Sequence, residues 1–191
     1  MKFLLTLSRF IDRLNQAVGR VASGLILVMV LISAGNAIVR KAFNMSSNGL
    51  LEIQWSLFAA VFLLAAAYTL LKNEHVRIDV LSSRLSLRAQ AWIDIFGTLF
   101  FLLPLCALML YYAWPFFLES FASQEWSNNP GGLILWPAKS LIPACFALLG
   151  LQGISEIIKR VGFLCGIVPP RDAPLGGSEP VLTHTPPEQK S

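Results

Sequence analysis

Four long apolar segments, cut apart by loops whose positive charge falls almost entirely on one side, restrict this chain to a membrane-spanning fold. Between flanking charges the uncharged runs are residues 21–39 (19 residues), 53–71 (19), 95–118 (24) and 140–155 (16). A helix rises about 1.5 Å per residue, so some 20 residues cross a hydrocarbon core about 30 Å thick. The fourth run is short. Residues 132–138 ahead of Lys139 are also uncharged, however, and a lysine near a helix end extends its ammonium to the headgroups. Spans are therefore predicted at 21–39, 53–71, 95–118 and 134–155, inside a membrane domain of residues 21–160. With 55% hydrophobic and 14% charged residues, the chain has too little polar surface for a water-soluble core of 191 residues. Ser33 and Gly35 offer a cleavage spacing, but the 19-residue run that contains them is longer than a signal-peptide core and Arg40 and Lys41 follow, so the first span is expected to be retained.

Charge gives the orientation. Twelve of the fifteen lysines and arginines fall in residues 1–20, 72–94 and 156–191, whereas Arg40, Lys41 and Lys139 fall on the other side. Because basic loops stay inside, both termini are expected to be cytoplasmic, which requires an even number of spans. The net charge of +4 is explained by this topology, with anionic lipid headgroups as its partner. No basic stripe interleaved with aromatics is present, so no nucleic acid is expected to bind.

In residues 1–20, Phe3, Leu7, Phe10, Leu14, Ala17 and Val21 recur at steps of four and three, with Arg9, Asp12, Arg13, Gln16 and Arg20 opposite. This spacing predicts an amphipathic helix at the inner membrane interface; the alternative is a contact with a partner helix. Between the second and third spans, Asp79 is placed to cap a short helix through Leu85, and Ser86 to cap the third membrane helix opening at Leu87. Residues 127–132 form a concentrated turn signal, and Trp114, Trp126 and Trp136 form an aromatic belt at that level. Pro104 and Pro143 fall inside helices, where each removes a backbone donor, while Pro137 suits a first turn. From residue 161 a disordered cytoplasmic tail is expected, dense in proline and glycine after Pro169.

Cys106, Cys145 and Cys165 have no metal-ligand or redox spacing and read as small apolar packing residues. Histidine occurs only at His75 and His184, so no intramembrane pair exists to hold a haem. No phosphate loop or nucleophile elbow occurs, so neither an enzyme nor a cofactor in this chain is expected. Every Asp, Glu, Lys and Arg lies at a span edge, in a loop or in the tail, whereas ion-coupled carriers place an ionisable group at mid-depth. The chain is thus expected to pack on another protein, with Ser33, Gly35, Asn36, Gly97, Thr98, Gly150 and Gly153 allowing close helix approach.

The segment Leu51-Glu52-Ile53-Gln54-Trp55, followed after the second span by Asn73-Glu74-His75-Val76-Arg77-Ile78-Asp79-Val80-Leu81, resembles the small membrane subunit of tripartite ATP-independent periplasmic (TRAP) transporters, close to the mannitol or chloroaromatic subgroup. Arg40, Gly132-Leu133, Trp136-Pro137, Ile142-Pro143 and Leu151-Gln152 extend the likeness over roughly residues 21–160. One departure is that Ile53 follows Glu52 where the family often has a second acid. The resemblance implies an inner-membrane scaffold subunit that docks on a large transport subunit, while a periplasmic binding protein delivers an organic acid. Sodium coupling is implied for the large subunit, not for this chain.

On that footing, Arg40 and Glu52 flank one outer loop and are expected to pair, or else to be two solvated charges. His75 and Asp79 are assigned to contact with the large subunit or to orienting the loop helix, and Trp55 to a neighbouring helix or the lipid boundary. Two other functions compete. A self-assembling carrier or channel needs a polar path, for which Ser33, Asn36, Thr69 and Gln152 are the candidates; an electron-transfer anchor needs a coloured cofactor or a flavoprotein partner.

Overall fold

The computed structural model describes residues 2–43, 47–72 and 86–167. They form α1 (Lys2–Phe43), α2 (Asn48–Lys72), α3 (Leu87–Gly97), a π-helical turn (Thr98–Leu102), α4 (Leu103–Ser123) and α5 (Trp136–Leu164). α3, the π turn and α4 run on as one span, so four helices are long and apolar enough to cross a membrane. The start of the tail expected at residue 161 is corrected, since α5 runs on through Leu164; residues 168–191, His75 and Asp79 lie outside the described residues, as does the short helix expected through Leu85.

Residues 1–20, expected as a separate interfacial helix, join the first span without a break: α1 is a single helix of 42 residues. Neither proline nor a capping sequence interrupts the junction, and one glycine, Gly19, costs only about 1 kcal/mol of helix propensity. Such a helix is about 63 Å long, twice the hydrocarbon thickness. Its amphipathicity is also divided differently from the sequence reading. Ser8, Ile11, Asn15, Gly19 and Ala22 turn inward, whereas Phe3, Leu7, Phe10 and Leu14 are exposed.

Ser86 caps α3 as expected, its hydroxyl accepting from the Ala89 N–H at 3.3 Å. The backbone donor missing at Pro104 coincides with the π turn just before it, where the Leu103 N–H reaches the Thr98 carbonyl. Pro104 has no N–H to offer four residues back, and widening the preceding turn accommodates that loss. Pro137 takes the first turn of α5, and Pro143 is buried inside that helix. Pro115, not singled out in the sequence, lies within α4.

α5 is the helix that packs on every other element, including α1, α2, α3 and α4. Small residues make this possible. A Cβ at Gly153 would sit 3.0 Å from Leu102 on the π turn, one at Gly150 3.5 Å from Cys106, and one at Gly19 2.5 Å from the Tyr68 ring. Gly35 and Gly97, expected to serve the same purpose, face open space within this chain. Cys106 and Cys145 are buried packing residues, while Cys165 is exposed.

Candidate functional site

At the end of the bundle where α2 begins, the end expected to face outward, the α4–α5 connection is a small ordered hairpin. Gln124 ends α4 in the left-handed region at φ 47°. Trp126 and Ile134 then form an antiparallel bridge, flanked by Ser127 N–H to Leu133 O and Leu135 N–H to Glu125 O, both 2.9 Å. Asn129-Pro130-Gly131-Gly132 makes the turn: the Gly132 N–H reaches the Asn129 carbonyl at 2.9 Å, with Gly131 at φ 73°. Proline followed by a positive-φ glycine is the type II pattern, in which other residues would be strained at the third position.

Glu52, near the start of α2, fastens this hairpin. Its Oε2 accepts from the Leu133 N–H at 2.7 Å, and its Oε1 accepts from Asn129 Nδ2 at 2.9 Å and from the Ser127 hydroxyl. Asn48 Nδ2 adds a bond to the Pro130 carbonyl at 3.0 Å. Gly49 makes room, since a Cβ there would lie 3.0 Å from the Gly131 carbonyl. The second fastener is Lys139 on the first turn of α5, which pairs with Glu125 and lies 4.2 Å from the Phe116 ring centroid. Lys139 beside it holds the Glu125 carboxyl below the usual carboxylate range. The predicted turn thus becomes a preorganised surface with Trp126 exposed on it.

This geometry corrects the pairing expected between Arg40 and Glu52. Glu52 is only 8% exposed and its oxygens accept from the hairpin, while Arg40 is exposed on α1 and forms no ion pair with it. The carboxylate finds three donors on the hairpin, which desolvate less than an arginine would and fix a backbone at the same time. Lys139, expected to reach toward headgroups, is instead held by Glu125. Trp55 is 67% exposed and continues into a row with Phe58 and Phe62 on one face of α2, so none of the described helices covers it.

A second polar cluster, at the opposite end, fastens α1 to α5. Asn15 Nδ2 donates to Gln152 Oε1 at 2.7 Å, and Gln152 Nε2 donates to Asp12 Oδ1 and Glu156 Oε1, each at 3.1 Å. The Ser155 hydroxyl donates to Asp12 Oδ1 at 2.9 Å and meets the Ser8 hydroxyl at 2.7 Å. Lys159 Nζ lies 2.9 Å from Asp12 Oδ2 and 2.8 Å from Glu156 Oε1. Arg160 Nη2 reaches Asp94 Oδ2 at 3.0 Å, which ties α3 to the same end of α5. Ser8, Asn15, Gln152, Ser155, Glu156 and Arg160 are all buried. Buried polar groups are tolerated when they satisfy one another, and a network of this kind fixes one register between helices.

The sequence singles out Gln152 as a candidate for a polar path and as part of the family likeness, not as a link between helices. Its partners carry a visible signal, however: Ser8, Asp12 and Asn15 recur at steps of four and three on α1, and on α5 Ser155 and Glu156 lie three and four residues after Gln152, with Lys159 a further turn on. Within this chain, three of the four residues proposed to line a path are not gathered into one: Gln152 is engaged with α1, the Thr69 hydroxyl donates to its own helix at Ala65 and Ala66, and Ser33 is exposed. Among the described residues no group of three His, Cys, Asp or Glu side chains is placed to hold a metal ion. What the architecture offers is two hydrogen-bonded polar fasteners, with Asn15 Oδ1 left as a buried acceptor, at the ends of a bundle whose sides are apolar and exposed.

A family model described as "Tripartite ATP-independent periplasmic transporters, DctQ component" matches residues 29–162. Neither a search of curated proteins nor a search of solved structures returned a match.

Proposed function

We propose a scaffold role from one premise: this chain belongs to the DctQ family, the small membrane component of tripartite ATP-independent periplasmic transporters. It is a multi-pass inner-membrane protein and a transporter component, not an enzyme. The family implies association with the other components of a tripartite system. Our reading is that this chain docks on the large transport subunit and stabilises it, with both termini cytoplasmic, while a periplasmic binding protein delivers an organic acid whose uptake the large subunit couples to sodium. On this reading the chain itself holds neither sodium nor a cofactor.

The observation that carries the reading is the disposition of polarity. Charged and amide side chains are spent on fastening α2 to the outer hairpin and α1 to α5, and the sides of the bundle are left apolar. The third span and the Trp55, Phe58 and Phe62 row on α2 are broadly exposed, which suits helices meeting lipid or another membrane protein. A solute path requires the opposite arrangement.

Co-expression with the neighbouring large subunit tests the reading. The two should co-purify in mild detergent, and Trp55→Ala, Phe58→Ala and Phe62→Ala combined should reduce recovery of the complex without unfolding this chain. A large subunit that is equally stable and active in the absence of this chain would contradict the scaffold role.

A further inference from the structure

The N-terminal half of α1 has three faces, and the structure accounts for only one of them. The polar face (Ser8, Asp12, Asn15) is taken up by α5. A second face carries Phe3, Leu7, Phe10 and Leu14, all exposed, with Phe10 at 66%. A third carries Arg9, Arg13 and Arg20 in one exposed row beside it, with no ion pair to any described acidic residue. Asp12, the one acid of this half, points the other way and is bonded to Ser155 and Lys159.

Helix length adds a constraint. Phe3 lies eighteen residues before Val21, about 27 Å along the axis, so an upright α1 would carry its apolar row far outside a 30 Å core into water. The bonds to α5 fix the level of this half instead: Ser8, Asp12 and Asn15 are held by Gln152, Ser155 and Lys159, where the uncharged run of α5 ends. Bonded there, the apolar row is kept at the level of the membrane surface.

We infer that this half of α1 is a lipid-binding face selective for anionic headgroups: Phe3, Leu7, Phe10 and Leu14 enter the acyl boundary while Arg9, Arg13 and Arg20 meet phosphate. The occupant is assigned by charge. The surface beside the apolar row is basic and, among the described residues, free of acid, which complements an anionic leaflet. The clamp to α5 then makes the lipid contact a fixed feature of the bundle.

The test uses the full-length chain in nanodiscs of phosphatidylcholine alone and of an equimolar mixture with phosphatidylglycerol. A nitroxide is placed by Phe10→Cys with Cys165→Ser, the other two cysteines being buried. The inference expects relaxation of the label by oxygen and not by a water-soluble nickel chelate. It also expects wild-type protein released from the mixed discs to retain phosphatidylglycerol preferentially by native mass spectrometry, and the triple variant R9Q/R13Q/R20Q to lose that preference by about tenfold or more. A label reached by nickel, a label shielded from both reagents, a wild type without lipid preference, or a folded triple variant with the preference intact each overturns it. Because wild type is read on its own, misfolding of the variant does not protect the inference. Neither readout involves the large subunit, so failure here leaves the scaffold reading standing.

Discussion

Asn15 on α1 donates through Nδ2 to Oε1 of Gln152 on α5 at 2.7 Å, and neither side chain is exposed. Removing one partner strands the other in an apolar interior, which costs about 1–3 kcal/mol. Asn15→Leu and Gln152→Leu should each lower the thermal midpoint in detergent, with Gln152→Leu costing more because Asp12 and Glu156 also lose a donor. The double variant should cost less than the two singles combined, since the residues share one bond. Midpoints that simply add would show that the pair contributes nothing to holding α1 on α5.

Close helix approach gives a second contrast. Gly153→Leu forces a side chain against Leu102 and Thr98 of the π turn, an overpacking expected to cost about 1–3 kcal/mol. Gly97→Ala meets no atom within 4 Å, and an alanine also suits a helix, so its stability should stay within about 0.5 kcal/mol of wild type or rise. Thermal unfolding followed by near-ultraviolet circular dichroism distinguishes the two.

Loss of the Glu52 carboxylate should loosen the outer hairpin and little else. In Glu52→Ala the Leu133 amide loses its acceptor, so hydrogen exchange over residues 125–135 should quicken by about tenfold, while α5 from Gly150 onward keeps its protection. Arg40→Ala should leave that exchange unchanged, because Arg40 forms no ion pair with Glu52. An equal effect of the two substitutions would restore the pairing that the sequence suggested.

The Glu125–Lys139 pair sets a pH dependence with a defined sign. Glu125 has a folded-state pKa held below its ordinary value, so its contribution is present above the unfolded value near 4.3 and is lost as pH falls through the lowered folded one. The hairpin should therefore be insensitive to pH from about 6 to 8 and loosen only in acid. Carboxyl-carbon NMR of Glu125, assigned against Glu125→Gln, should titrate below the normal glutamate range. Titration above it would contradict the geometry.

Much of the fold was legible in the sequence because a bilayer imposes a length and a charge bias on each span. The four spans, the caps at Ser86 and Pro137 and the turn at residues 127–132 all follow from local chemistry. The division of α1 was not legible. Periodicity showed two faces, one apolar and one polar, and an apolar face is ordinarily taken to be the inner one. Here Ser8, Asp12 and Asn15 face inward, because α5 brings Gln152, Ser155 and Lys159 to the same level; each polar row is visible in its own segment, but that the two rows meet is not. Glu52 shows the same limit: its charge pointed to Arg40, whereas three neutral donors some 80 residues away satisfy it.

The central claim is that this bundle supports transport without conducting solute. It is tested most directly by proteoliposomes containing this chain alone, the large subunit alone or both, supplied with the loaded binding protein and a sodium gradient. The account predicts no uptake from this chain alone and full uptake only when both subunits are present. Solute accumulation in vesicles that hold this chain and no other membrane protein would contradict it.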